Sequence, residues 1–165
     1  GIAKAYTTRV GAGPMPTELF DKVAEYLGLV GKEIGTNTGR KRRCGWLDLV
    51  AMKRSVMINS LTALAITKLD ILDGLGEIKV CTHYQKGSQY FKLPPQDSKV
   101  YQQCLPQYKV FKGWQRSIHG MTSFQDLPQG ARDYLKFIED TLEVPIIFIS
   151  CGPERHETIF LHDIF

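Results

Sequence analysis

The chain is 165 residues long, 43% hydrophobic and 23% charged. That composition excludes a disordered chain, and the length suits one domain or a piece of a larger one. Lysine plus arginine total 21 against 17 for aspartate plus glutamate, and the resulting +4 is too small to mark a nucleic-acid binder by itself. No apolar run approaches the roughly 18 residues that would span a bilayer; the densest is Val144 to Ile149. No basic head with an apolar stretch and cleavage site opens the chain, and a first residue that is Gly1 rather than Met points to a fragment. Cys44, Cys81, Cys104 and Cys151 lie tens of residues apart with no CxxC pair, which argues against a zinc site. So few cysteines suit a reducing cytoplasm.

In chain order, Tyr6, Thr7, Thr8 and Val10 are strand formers, and Gly11 to Pro14 break any regular element. Thr17 is placed to cap a helix from about Glu18 to Leu27, with Leu19, Val23 and Tyr26 on one face and Gly28 and Gly31 ending it. Residues 31 to 45 form a glycine-punctuated polar loop. A second helix is predicted from about Trp46 to Asn59, with a stripe of Trp46, Leu49, Val50, Lys53 and Val56/Met57, apolar but for Lys53, that its other apolar residues widen enough to bury most of it. Leu61 to Thr67 suits an interior strand, Asp73-Gly74 a turn, and Glu77 to Tyr84 another strand. Lys86 to Gln107, polar and holding Pro94, Pro95 and Pro106, reads as loop or edge hairpin. A third helix runs from about Pro128 to Leu142, its inner face Ala131, Tyr134/Leu135, Ile138 and Leu142. Val144 to Ser150 is a buried strand stopped by Cys151-Gly152-Pro153, and Thr158 to Leu161 a last strand. The pattern implies a mixed α/β fold with about three helices and short strands that continue a larger sheet.

Three segments could carry chemistry. The first is the loop Gly35-Thr36-Asn37-Thr38-Gly39-Arg40-Lys41-Arg42-Arg43. Four adjacent cations can simply be solvated. Preceded by hydroxyl, amide and unhindered N–H donors, and rich in planar guanidinium forks, they also suit a small multivalent anion. They also resemble a short nucleic-acid patch, although no aromatic residues interleave them for stacking on bases. The second is Thr67-Lys68-Leu69-Asp70, after an apolar strand. A carboxylate there can accept from guanine N1–H and the exocyclic amine, a donor pair that adenine lacks, while the Lys68 stem covers the base. The bland alternative is a turn with a solvated lysine and a capping aspartate. The third is Ser150-Cys151-Gly152-Pro153, which could offer backbone groups to a base or ribose, or be no more than a strand-ending turn. Cys151 has no neighbouring base to make it a nucleophile. His83, His119, His156 and His162 form no ligand-spaced pair, and neither a Walker-type loop nor a metal-binding carboxylate cluster is present.

Several long motifs in register carry a resemblance. Thr8 to Glu18 (TRVGAGPMPTE), Thr38 to Asp48 (TGRKRRCGWLD), Leu64 to Leu75 (LAITKLDILDGL), Gly113-Trp114 and the closing Gly152-Pro153-Glu154-Arg155 resemble the adenylosuccinate synthetase family. The likeness spans nearly the whole chain and is weakest from Lys86 to Gln107. It implies a GTP-dependent ligase of purine nucleotide biosynthesis that condenses IMP with L-aspartate, uses magnesium, works as a cytoplasmic homodimer and engages neither nucleic acid nor membrane. Carried over by motif, Thr36, Asn37, Thr38, Gly39, Arg40, Lys41 and Arg42 would be the aspartate loop. Within it, Thr38 and Arg40 would hold the aspartate carboxylates, Arg40 would also lie against IMP, and Arg42 would reach GTP. Val10 would meet the IMP ribose through its backbone. Lys68, Leu69, Asp70, Ser150, Cys151 and Gly152 would form the guanine pocket. Asn37 replaces the family's usual threonine, keeping polarity but losing the hydroxyl, and Lys41 falls at a position the family varies. The family's phosphate loop, catalytic Asp and His, and magnesium ligands are not among these residues. The resemblance therefore makes residues 1–165 the C-terminal guanine- and aspartate-binding subdomain of a larger α/β enzyme, inactive alone.

Overall fold

The computed structural model describes residues 1–37 and 39–161. In chain order the elements are β1 (Ile2–Lys4), β2 (Thr7–Arg9), α1 (Lys22–Val30), β3 (Arg43–Gly45), β4 (Leu47–Asp48), α2 (Leu49–Asn59), β5 (Leu64–Thr67), β6 (Glu77–Lys86), β7 (Gln89–Phe91), α3 (Ser98–Gln102), β8 (Leu105–Lys112), α4 (Gln129–Leu142), β9 (Ile146–Ser150) and β10 (Thr158–Phe160). Two 3-10 turns, Leu69–Leu72 and Phe124–Asp126, complete the described elements. The mixed α/β class and three substantial helices match the expectation; α3 adds a single short turn. The chain divides into two compact units.

The first unit comprises Gly1–Ala5, Ser55–Ile78 and the chain from Val110 onward. Its sheet runs β1-β5-β9-β10. β1 and β9 both lie parallel to β5, while β10 turns back antiparallel on β9. A parallel strand is buried on both faces, and β5 accordingly reads as an unbroken run, Leu64-Ala65-Ile66, each at most 3% exposed. α4 shows the expected inner face: Ala131, Tyr134, Leu135, Ile138 and Leu142 are all buried. The Tyr134 hydroxyl donates to the Ala5 carbonyl at 2.5 Å, and its ring meets Phe111 and Trp114 edge-on. Glu143 ends the helix in the left-handed conformation (φ 57°) that usually calls for glycine.

The second unit comprises Tyr6–Arg54 and Lys79–Lys109. β2 and β3 pair antiparallel, Thr8 opposite Cys44. β6 pairs with β4, β7 and β8. Its core is Val50, Cys81, Tyr84 and Cys104, packed by Phe91, Tyr101 and Tyr108. Asp48, 3% exposed, organises it: Oδ1 accepts the Ala51 amide at 3.1 Å and so caps α2, while Oδ2 accepts the Tyr84 hydroxyl at 2.6 Å. Burial raises the Asp48 carboxyl, and the hydrogen bond from Tyr84 works against that rise.

Four expectations need correction. α1 begins at Lys22, not Glu18, because Asp21 is the better cap: its Oδ1 accepts the Val23 and Ala24 amides, while Glu18 bridges to Gly45. Thr17 is fully buried, and its hydroxyl has no partner among the described residues. α2 begins at Leu49, since Leu47 and Asp48 pair with Val80 and Cys81. It is also less buried than its stripe suggested, with Met57 and Ile58 56% and 66% exposed. Finally, residues 86–107 are neither all loop nor only a hairpin. Lys86↔Gln89 pairing closes a hairpin, Asp97 caps α3, and β8 starts at Leu105.

Candidate functional site

In the second unit, the glycine segment after β2 is held by two arginines. Arg9 donates to the carbonyls of Ala12 and Pro14, and Arg43 to those of Gly11 and Gly13. Four successive carbonyls thus meet guanidinium donors, which orders a loop that has no regular structure. Gly11 and Gly13 allow it with φ of 78° and 115°. Val10, at its start, is 74% exposed.

The cationic loop is a hairpin on a buried acid. Ile34 bridges to Lys41, the Gly35 amide donates to Arg40 O at 2.8 Å, and Gly39 turns at φ 64°. At the foot, Glu33 is 1% exposed. Its Oε1 accepts the Tyr6 hydroxyl at 2.6 Å, its Oε2 accepts Arg42 Nη1 at 2.9 Å, and its carbonyl accepts the Arg42 amide at 2.9 Å. Arg43 grips Glu18 with both arms of its fork. The four adjacent cations therefore divide. Arg42 and Arg43 are committed to acids of the same unit, whereas Arg40 and Lys41 are exposed beside Thr36, Asn37 and Gly39. Division of the cluster lowers the charge density that a nucleic-acid patch would need. Thr38 lies outside the described residues. Behind the hairpin, a groove of about 790 Å³ runs along Leu19, Ala24, Gly28, Leu29 and Ile34.

In the first unit, β5 and β9 are adjacent and parallel, so the segments that leave them, Lys68–Asp70 and Ser150–Gly152, emerge at one edge of the sheet. Carboxyl ends of parallel strands are where layered α/β proteins place ligands. Lys68 takes a left-handed backbone (φ 60°, ψ 32°), a strained conformation for a residue with a Cβ. Leu69 is fully buried, main chain included. Asp70 is half-buried in the 3-10 turn. Among the described residues its carboxylate accepts only from its own amide. Burial pushes it up first, Asp73 and Glu157 add to the rise, and its own amide and His119 oppose it. Ser150 Oγ donates to Gly152 O at 2.7 Å. Cys151 is fully buried, its thiol pushed up to about 12 by burial and by the acids at 70, 73 and 157, so it is no nucleophile at neutral pH.

Sequence reasoning brought out these two segments but missed what supports them. Asp73 Oδ1 accepts Trp114 Nε1 at 2.6 Å and Oδ2 accepts the Ile118 amide at 2.8 Å. Gly113 passes so near Leu75 that a Cβ would lie 1.7 Å from its carbonyl oxygen. The Gly113-Trp114 motif is thus a scaffold for Asp73. Spacing three residues beyond Asp70 could have flagged Asp73; no local signal pointed to Glu33, His119 or Glu157. Among the described residues no group of three or more His, Cys, Asp or Glu could hold a metal ion. No helix among them is long and apolar enough to cross a membrane.

A family model described as adenylosuccinate synthetase matches residues 1–159. The adenylosuccinate synthetase of a Synechococcus species is 52% identical over 163 residues, covering 99% of this chain and 36% of that protein. That of Xylella fastidiosa is 50% identical over 165 residues, covering all of this chain and 38% of that protein. The structure of fully ligated adenylosuccinate synthetase from Plasmodium falciparum superposes with a TM-score of 0.93 at 38% identity, over 98% of this chain and 39% of that one. The chain spans less than two fifths of the length of these relatives. With motifs, identity and fold agreeing along the chain, it belongs to the adenylosuccinate synthetase family.

Proposed function

We propose that residues 1–165 are the C-terminal subdomain of a GTP-dependent, GDP-forming ligase that joins IMP and L-aspartate into adenylosuccinate. In that reaction the γ-phosphoryl of GTP passes to O6 of IMP, releasing GDP, and the aspartate amine then displaces phosphate. The observation that carries the reading is the pairing of Lys68–Asp70 with Ser150–Gly152 at one edge of parallel strands, with the Asp70 carboxylate, among the described residues, hydrogen-bonded to its own amide alone. Asp70 accepts the two donors of the guanine edge, and Lys68, Leu69 and Ser150 to Gly152 form the rest of the pocket. Thr36, Asn37, Thr38, Gly39, Arg40, Lys41 and Arg42 form the aspartate loop, with Arg40 on a carboxylate, and Val10 meets the IMP ribose. The phosphate loop, the magnesium site and the groups that move protons belong to the rest of a cytoplasmic homodimeric enzyme. The four buried free thiols suit that reducing compartment.

Thermal unfolding of this chain with nucleotide tests the reading. GTP at a hundred times its Kd is expected to stabilise by about 2.7 kcal/mol and raise Tm by several degrees, with no shift from ATP. Equal shifts from both, or tight RNA binding that collapses with salt, would refute it. The chain alone is expected to form no adenylosuccinate when supplied with GTP, IMP and aspartate.

Arg40→Ala in the complete synthetase is expected to raise the aspartate KM by roughly ten- to a hundredfold, the worth of one charge-assisted fork. Unchanged aspartate kinetics would remove Arg40 from the site.

A further inference from the structure

The turn that follows β9 is held together by a side chain that no motif singled out. Glu157 is 4% exposed. Its Oε2 accepts the Glu154 amide at 2.7 Å, and its Oε1 lies 3.2 Å from His119 Nδ1. The main chain of Glu157 closes the same turn, its carbonyl accepting the Cys151 amide at 2.8 Å. The carboxylate also lies against Gly152, where a Cβ would fall 2.2 Å from Oε2 and 2.8 Å from Oε1. Gly152 is therefore glycine because this acid fills the space beside it. The loop bearing His119 reaches the other wall as well. The Ile118 amide donates to Asp73, in the turn that carries Asp70, and the Gly120 amide donates to Cys151 O at 3.2 Å.

A buried carboxylate is costly unless donors surround it. This one sits near two further acids, Asp70 and Asp73, and is kept by an amide and an imidazole.

We propose that Glu157 is a positioning residue for the guanine nucleotide. Paired with His119, it sets the spacing between the Lys68–Asp70 wall and the Ser150–Gly152 wall. It touches no nucleotide; it acts through Gly152 and through the 118–120 loop. The inference rests on the guanine-pocket reading above.

Steady-state kinetics of the complete synthetase, with GTP, IMP and aspartate varied in turn, provide the test. Glu157→Ala is expected to raise the GTP KM about tenfold, while kcat at saturating GTP and the other two KM values stay within about twofold of wild type. Glu157→Gln keeps an acceptor for the Glu154 amide and is expected to restore most of the loss. His119→Ala alters a side chain that is 57% exposed, so it breaks the same link without threatening the fold. It is expected to raise the GTP KM about threefold. Equal rises in all three KM values, or a GTP KM unmoved in both alanine variants, would overturn the proposal. Should Glu157→Ala fail to fold, His119→Ala decides by the same criterion. A wild-type enzyme whose turnover ignored GTP would instead refute the guanine-pocket reading itself.

Discussion

Asp70→Asn in the complete synthetase is expected to raise the GTP KM by roughly a hundredfold, about 3 kcal/mol, with the fold at least as stable as wild type. The carboxylate can accept from N1–H and from the exocyclic amine of guanine together. An asparagine offers one oxygen and turns its own N–H groups toward the second donor. Two charge-assisted bonds are thereby replaced by one neutral bond and one repulsive contact. Stability moves the other way, and the sign follows from burial. Burial raises the folded-state pKa of Asp70 above the ordinary carboxylate value, so the folded chain holds that proton more tightly than the unfolded chain does. The ionised carboxylate is therefore a cost to the fold at neutral pH, and that cost disappears as pH falls through the raised pKa. Tm of the variant at pH 7 should equal or exceed that of wild type, and the gap should close in acid. GTP affinity of the wild type should weaken in the same acid range, beginning above the pH at which an exposed aspartate titrates. Circular dichroism melts and GTP titrations over pH measure both. A variant with wild-type GTP affinity would end the role assigned to Asp70.

Glu33→Ala is expected to cost about 3 kcal/mol, lowering Tm by on the order of 10 °C. The substitution takes the acceptor from the Tyr6 hydroxyl and the counter-charge from Arg42, whose side chain is only 28% exposed. Removing one partner of a buried pair is worse than never having built it, because the other charge stays behind in a poorly solvated place. Glu33→Gln keeps one good acceptor and should lose less than half as much. Since Glu33 also anchors the foot of the 34–41 hairpin, the alanine variant should raise the aspartate KM in the complete enzyme as well. Urea unfolding that places Glu33→Ala within about 0.5 kcal/mol of wild type would mean the hairpin foot is held by something else.

Local pattern was enough for some elements. α4 was legible to the residue on its inner face, because a 14-residue helix with an apolar stripe carries its period in its own sequence. The apolar run Leu61 to Thr67 pointed to a buried strand, of which Leu64–Thr67 forms. α1 was shifted by four residues, since two capping candidates, Thr17 and Asp21, compete, and the winner depends on Glu18 finding Gly45 across the unit. β8 was missed: Leu105 to Lys112 has a single buried residue and pairs with β6 well before it in the chain, so its identity lies in its partner.

The site divides along the same line. The amino-acid order alone determined the family, the two short segments that carry polar recognition groups, and the cationic loop with its glycine turn, since all of these are contiguous strings. Tertiary structure decided how those groups are held. It tied Arg42 to Glu33 and Arg43 to Glu18, leaving Arg40 and Lys41 exposed, and it set Glu157 against Gly152. The reason is physical: a charge next in sequence is visible as a charge, but whether it is satisfied depends on acids 9 or 25 residues away that only folding brings within hydrogen-bond distance.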